Sequence, residues 1–193
     1  MTIHIAQKLR IGRCNLQRVR LIKKYLTKEA AATIVQALVI SHLDYGNALF
    51  YKLPDKIINK LQVLQNDAAK VVLFKKRSSS STDARRELHW LPIRARIEFK
   101  IIMSVFKCVT NRAPDYLKSL LEKKLSCRTT RSMSNNAFAI PRTKAQSFAD
   151  RSFSVSGPQL WNALPEQLKE ETNLECFKTK LKTHLFRKYY PDS

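Results

Sequence analysis

"PDKIINKLQVLQNDAAKVVLF", residues 54–74, decides the fold class. Ile57, Leu61, Leu64, Ala68 and Val71 recur at steps of four, three, four and three, which is the period of an α-helix and not of a strand. Pro54 suits a first helical turn, where its missing N–H leaves no bond unmade, and Asp55 sets a carboxylate at the positive end of the helix. Gln62, Gln65, Asn66 and Lys70 fall off the apolar stripe and are expected to face water. The run "KKRSSSSTD" (75–83) ends the helix in a solvated, mobile loop, read as a linker ahead of the alternative, a contact with a phosphate backbone.

The same period continues on both sides. "EAAATIVQALVISHLDYGNALF" (29–50) is apolar nearly all round, the mark of a buried helix, with Thr27 as its cap. Within it His42, Asp44 and Tyr45 are read as hydrogen-bonded polar groups and not as an acid–base cluster. Residues 3–26 form a basic helix with Ile5, Leu9, Leu16, Val19 and Leu26 on one side, and Gly12 allows it to break into two pieces. Beyond the linker, Thr82 or Asp83 caps a short turn. Pro92 then opens a helix carrying Ile93, Ile97, Ile101, Val105 and Val109. Residues 111–124 read as another proline-started helix, with Tyr116, Leu117, Leu120 and Leu121 turned inward.

From residue 125 the chain becomes polar and loses the helical period. "NAFAIPR" (136–142) suits a short strand or hairpin arm. Phe148, Phe153, Val155, Leu160, Trp161 and Leu164 form an apolar cluster. A terminal helix follows, with a Thr172–Glu175 capping box and a stripe of Leu174, Phe177, Leu181 and Leu185. The expectation is a mainly α protein. Residues 1–124 make a helical bundle, and residues 125–193 make a smaller, less regular segment with short strands or loops and a C-terminal helix.

Charge narrows the partners. The 193 residues hold 36 Lys and Arg against 15 Asp and Glu, a formal +21. So large an excess repels itself in a compact chain and calls for a polyanion, nucleic acid first and anionic membrane second. Two clusters are candidate phosphate contacts. One is on the first helix: Arg10, Arg13, Arg18, Arg20, Lys23 and Lys24. It reads equally as an amphipathic surface helix or as a phosphate-tracking face. The other lies in "RRELHWLPIRARIEFK" (85–100): Arg85, Arg86, His89, Arg94, Arg96 and Lys100. These cations flank a helix entry, where unpaired backbone N–H groups also favour anions. Trp90 either stacks on a base or anchors the junction between two helices.

Catalytic chemistry has no visible seat. The acids are few and dispersed, no Asp-Asp or Asp-x-Asp pair occurs, and no phosphate-binding glycine loop or nucleophile elbow is present. Cys14, Cys108, Cys127 and Cys176 are far apart and form no zinc-type pair; they are expected to be reduced packing residues. No metal, cofactor, small-molecule substrate, membrane partner or enzymatic activity of the chain's own is expected. The N-terminus lacks a signal-type apolar core, so an intracellular chain, nuclear or cytoplasmic and not secreted, is expected.

Four ordered phrases add a resemblance: "ISHLDYGNALFYKLPDKIINKLQVLQNDAAKVV" (40–72), "ELHWLPIRARIEFKIIMSVFKCVTNRAPDYLKSLL" (87–121), "IPRTKAQSFADRSFSVSGPQLWNALPEQLK" (140–169) and "FKTKLKTHLF" (177–186). Their run, over residues 12–186, resembles the C-terminal part of the reverse transcriptase polyprotein of a non-LTR retrotransposon, LINE-type, of the Jockey and chicken-repeat group. The resemblance implies a thumb-like domain over 1–124 and a post-thumb segment over 125–193. It implies a non-catalytic fragment of an RNA-directed DNA polymerase that grips RNA or an RNA–DNA duplex beside a palm-and-fingers segment absent from this chain. The family's palm carboxylates, Y/F-x-D-D, match no residues here. Two departures stand out: Gly46 where the family often has Cys, and "SSSSTDARR" (78–86) in place of a threonine–proline segment. The second suggests drift, as in an inactive genomic copy, with Met1 an internal methionine of a longer frame. The alternative is a helical protein-interaction scaffold, or an element remnant with only nonspecific attraction to nucleic acid.

Overall fold

The structure, a computed structural model, describes residues 2–123, 137–142 and 150–191. It is mainly α. Among the described residues, β pairing is limited to one isolated bridge, Lys123 to Phe138. The chain divides into two compact units. The first comprises Met1–Asn47, Leu53–Arg96 and Tyr189–Ser193; the second comprises Ala48–Lys52 and Ile97–Lys188. The division therefore differs from the boundary expected at residue 125, which itself lies outside the described residues. The physical reason is that the chain doubles back: Tyr190 bonds within the first unit, while Phe106 stacks on Phe177 within the second.

In the first unit, α1 (Thr2–Ile22) is continuous and leads into a 3-10 turn at Lys23–Tyr25. Its stripe of Ile5, Leu9, Leu16 and Val19 is buried. The break that Gly12 allows does not occur. A Cβ on Gly12 would stand 2.6 Å from Leu64 Cδ2, so the missing side chain is what lets α1 approach α4 (Asp55–Val72). Helix α2 (Lys28–Val35) starts at Thr27, whose hydroxyl accepts from the Ala30 N–H. It passes through a π-helical turn, Gln36–Ile40, into α3 (Ser41–Asp44). Polar side chains of α1 serve carbonyls of this wider turn and the helix end. Asn15 donates to the Leu38 carbonyl at 2.9 Å, and Lys8 Nζ donates to those of His42 and Tyr45 at 2.6 and 2.7 Å. Gly46 then reverses the chain at φ 63°, a left-handed conformation in which a cysteine would be strained.

Helix α4 buries its expected stripe at Leu61, Leu64, Ala68 and Val71, and a second one at Ile58, Ala69 and Val72. Gln65, expected in water, is 0% exposed. The linker after α4 is fastened. Lys70 Nζ donates to the Arg77 carbonyl, Lys75 pairs with Glu87, and Ser80, not Thr82 or Asp83, caps α5 (Ser81–Glu87). The first turn of α6 (Ile93–Val109) completes this unit.

The second unit holds the rest of α6, the short α7 (Asp115–Lys118), α8 (Phe153–Asn162), α9 (Glu166–Lys169) and α10 (Leu174–Tyr189) up to Lys188. Tyr116 and Leu120, expected to pack inward, are exposed because α7 is only a single turn. The core is aromatic: Phe106 and Phe177 stack at 4.0 Å, and fully buried Trp161 lies 6.0 Å from Phe177 and 6.4 Å from Phe138. Phe148 of the expected cluster lies outside the described residues. Gly157 packs closely on α6, since a Cβ there would meet Val105 Cγ2 at 3.0 Å. The cap of α10 is Asn173, whose Oδ1 accepts from the N–H groups of Glu175 and Cys176, in place of the expected Thr172.

Asn162 does for Phe138 what a strand neighbour would do. It accepts from the Phe138 N–H at 3.0 Å and donates to the Phe138 carbonyl at 2.8 Å. Asn162→Ala strands both backbone groups beside a buried ring. It is expected to lower stability by about 2 kcal/mol, read as a shift in urea midpoint. An unchanged midpoint would show that water replaces the amide without loss.

Candidate nucleic-acid interface

On α1 successive residues turn by about 100°. Arg10, Arg13 and Arg18 are exposed; Arg10 and Arg18 emerge on the side away from the buried stripe, and Arg13 flanks it. They make no ion pair among the described residues, and α1 contains no Asp or Glu. Eight residues separate Arg10 from Arg18, about 12 Å along the axis. Phosphates of one duplex strand rise about 3.4 Å per step, so this ridge spans several of them. The other three cations of the cluster are partly engaged. Arg20 lies 3.7 Å from Asp67, Lys23 sits over the Phe74 ring at 5.2 Å and Lys24 over the Tyr25 ring at 4.8 Å. Such contacts orient these cations without neutralising Lys23 or Lys24.

The cluster at 85–100 is placed differently. Arg85, expected to face phosphate, is only 9% exposed. Its Nε donates to the Tyr190 hydroxyl at 3.1 Å, and its other nitrogens donate to Asn66 Oδ1 and Thr82 Oγ1. Arg86 lies over the Tyr190 ring at 5.7 Å, with its Nε buried and without a hydrogen-bond partner. Arg94 pairs with Asp55, and Arg96 forks onto both oxygens of Asp44, which also accepts from Asn47. Asp44 is thus a partner for an arginine, as its hydrogen-bonded reading required. His89 is exposed at φ 50° just beyond α5, and its N–H donates to the Arg86 carbonyl. Lys100 is exposed and belongs to the second unit. Trp90 is half-buried against the cluster of Ala69, Leu73 and Ala84, the anchoring alternative.

What the periodicity concealed is a polar ladder. Gln62 donates to Gln65 and Asn66, its Oε1 accepts the Ile93 N–H at 2.9 Å, and Gln65 donates to the Leu91 carbonyl at 2.8 Å. Tyr190 donates to the Trp90 carbonyl at 3.0 Å. These residues hold the backbone around Pro92, which cannot donate for itself. Their spacing of i, i+3 and i+4 on one helix face is the signal that could have exposed them.

Lys8, another cation of α1, is buried. Desolvation lowers its pKa from the usual lysine range, partly opposed by the charge of Asp44. Cys108 is buried, as expected of a packing residue, whereas Cys14 and Cys176 are exposed; Cys127 lies outside the described residues. Among the described residues no three His, Cys, Asp or Glu side chains could hold a metal ion, and no helix is long and apolar enough to cross a membrane. Comparison with protein-family models, with curated proteins and with solved structures gives no match.

Proposed function

We propose that this chain is a nucleic-acid-holding, non-catalytic element, similar to the thumb region of a non-LTR retrotransposon reverse transcriptase, and that α1 lies along the phosphates of an RNA or RNA–DNA duplex. One observation carries the reading: a 21-residue helix without a single acid, buried on one side and exposing Arg10, Arg13 and Arg18 around the rest. A merely solubilising surface intersperses both signs of charge. The second cluster contributes less than its composition promised, because Arg85, Arg94 and Arg96 are engaged within the fold.

Arg10, Arg13, Arg18 and Lys24 would neutralise about four phosphates, so the logarithm of the binding constant should fall against the logarithm of salt with a slope of about −3.6. Titrating a labelled RNA–DNA hybrid at several salt concentrations measures it. A flat slope removes the backbone grip. A second reading has its own support: Leu21, Ile22 and Tyr25 are exposed at the end of α1 and suit a protein partner such as the polymerase palm. Apolar docking there would survive salt that dissociates the duplex.

A further inference from the structure

Beside the first turns of α1 lies a cavity of about 430 Å³, lined by His4, Gln7, Lys8 and Ile11 of α1 and by Ser41, His42 and Tyr45 at the end of the π-interrupted helix. All seven belong to the first unit. We propose that this cavity receives one unpaired base of a single-stranded extension, stacked on Tyr45, while the adjoining phosphates run toward Arg10 and Arg18. The inference rests on the nucleic-acid reading of α1 and adds a second mode of recognition to it.

The ring is the first reason. Tyr45 is 76% exposed, a large apolar surface left in water unless something covers it. It is also held in place. Lys8, only 5% exposed, has its ammonium fixed by the carbonyls of His42 and Tyr45 and set 5.1 Å from the ring centre. A cation under one side of an aromatic ring orients it and leaves the remainder open. A pre-oriented open ring is what base stacking requires, because little side-chain freedom is then lost on binding.

The surroundings suit the face of a base, because the accessible lining is mostly apolar with a few polar groups at hand. Ile11 and the Tyr45 ring supply apolar surface, and the Gln7 amide can donate to or accept from a base edge. Its size falls in the range of small-ligand sites. Position supplies the link to the phosphate-facing cations: Arg10 lies one turn from Gln7, and Arg18 lies two turns beyond Ile11 on the same side of α1, about 10 Å along the axis. The π-helical turn beside the cavity is a feature frequent at functional sites.

The experiment compares three labelled RNA–DNA hybrids: blunt, with a short unpaired RNA extension, and with the same extension lacking its bases. The full chain is expected to bind the natural extension about 5- to 100-fold more tightly than the abasic one. Tyr45→Ala should erase that ratio while leaving blunt-duplex affinity and its salt slope unchanged, and Tyr45→Phe should keep it. Equal affinity for natural and abasic extensions overturns the base site and leaves the duplex reading of α1 standing. A ratio that persists in Tyr45→Ala also overturns it. Failure to bind any of the three overturns both.

Discussion

Changing Arg10, Arg13 and Arg18 together to glutamate is expected to weaken duplex binding by at least about 100-fold at low salt and to reduce the salt slope by about 3. Each guanidinium that meets a phosphate releases a counterion, and each carboxylate put in its place repels the strand. The fold should hardly notice. The three side chains are exposed and make no ion pair among the described residues, so stability should move by no more than about 0.5 kcal/mol. Loss should be uniform across sequences, since phosphate contacts carry no base information. Glutamine at the same positions removes charge without reversing it and should give a smaller fall. Wild-type affinity in the triple glutamate variant would take α1 out of the interface and leave the charge of this chain unexplained by it.

The helical class was legible because buried stripes repeat at helical spacing: Leu61, Leu64, Ala68 and Val71 are all inside, as are Phe177, Leu181 and Leu185. The errors have a common source. Periodicity records where apolar residues fall, and it assigns every polar residue to water by default. Gln62, Gln65 and Asn66 break that rule because the backbone near Pro92 needs donors and acceptors that its own turn does not supply. Propensity alone lets α1 break at Gly12, whereas contact with Leu64 decides that residue's role. The exposed arginines of α1 and the buried Arg85 look alike in sequence. Only the fold shows that a tyrosine far along the chain, Tyr190, reaches Arg85. The cavity beside Tyr45 was invisible for the same reason, since it needs α1 and α3 to meet.

Arg85→Met should produce the opposite pattern from the α1 variant: about 2–4 kcal/mol of lost stability with duplex binding intact wherever the protein remains folded. Methionine keeps much of the apolar stem and discards the guanidinium. Removing a buried charge spares its desolvation, and that gain can offset lost bonds when the replacement packs well. Here the bonds should win. Arg85 joins Asn66 of α4, Thr82 of α5 and Tyr190 near the chain's end, so its loss loosens three segments at once. Tyr190 keeps its bond to the Trp90 carbonyl and Asn66 keeps its bond from Gln62, which holds the cost below that of two fully orphaned groups. Arg85→Lys should rescue little, because one ammonium cannot occupy the positions of a planar fork. Urea unfolding reads the stability and anisotropy reads the binding, on the same samples. Full stability in Arg85→Met would show that the three bonds of Arg85 contribute nothing net. A folded variant that has lost duplex affinity would return Arg85 to the phosphate-facing set, against the burial that now separates it from Arg10, Arg13 and Arg18.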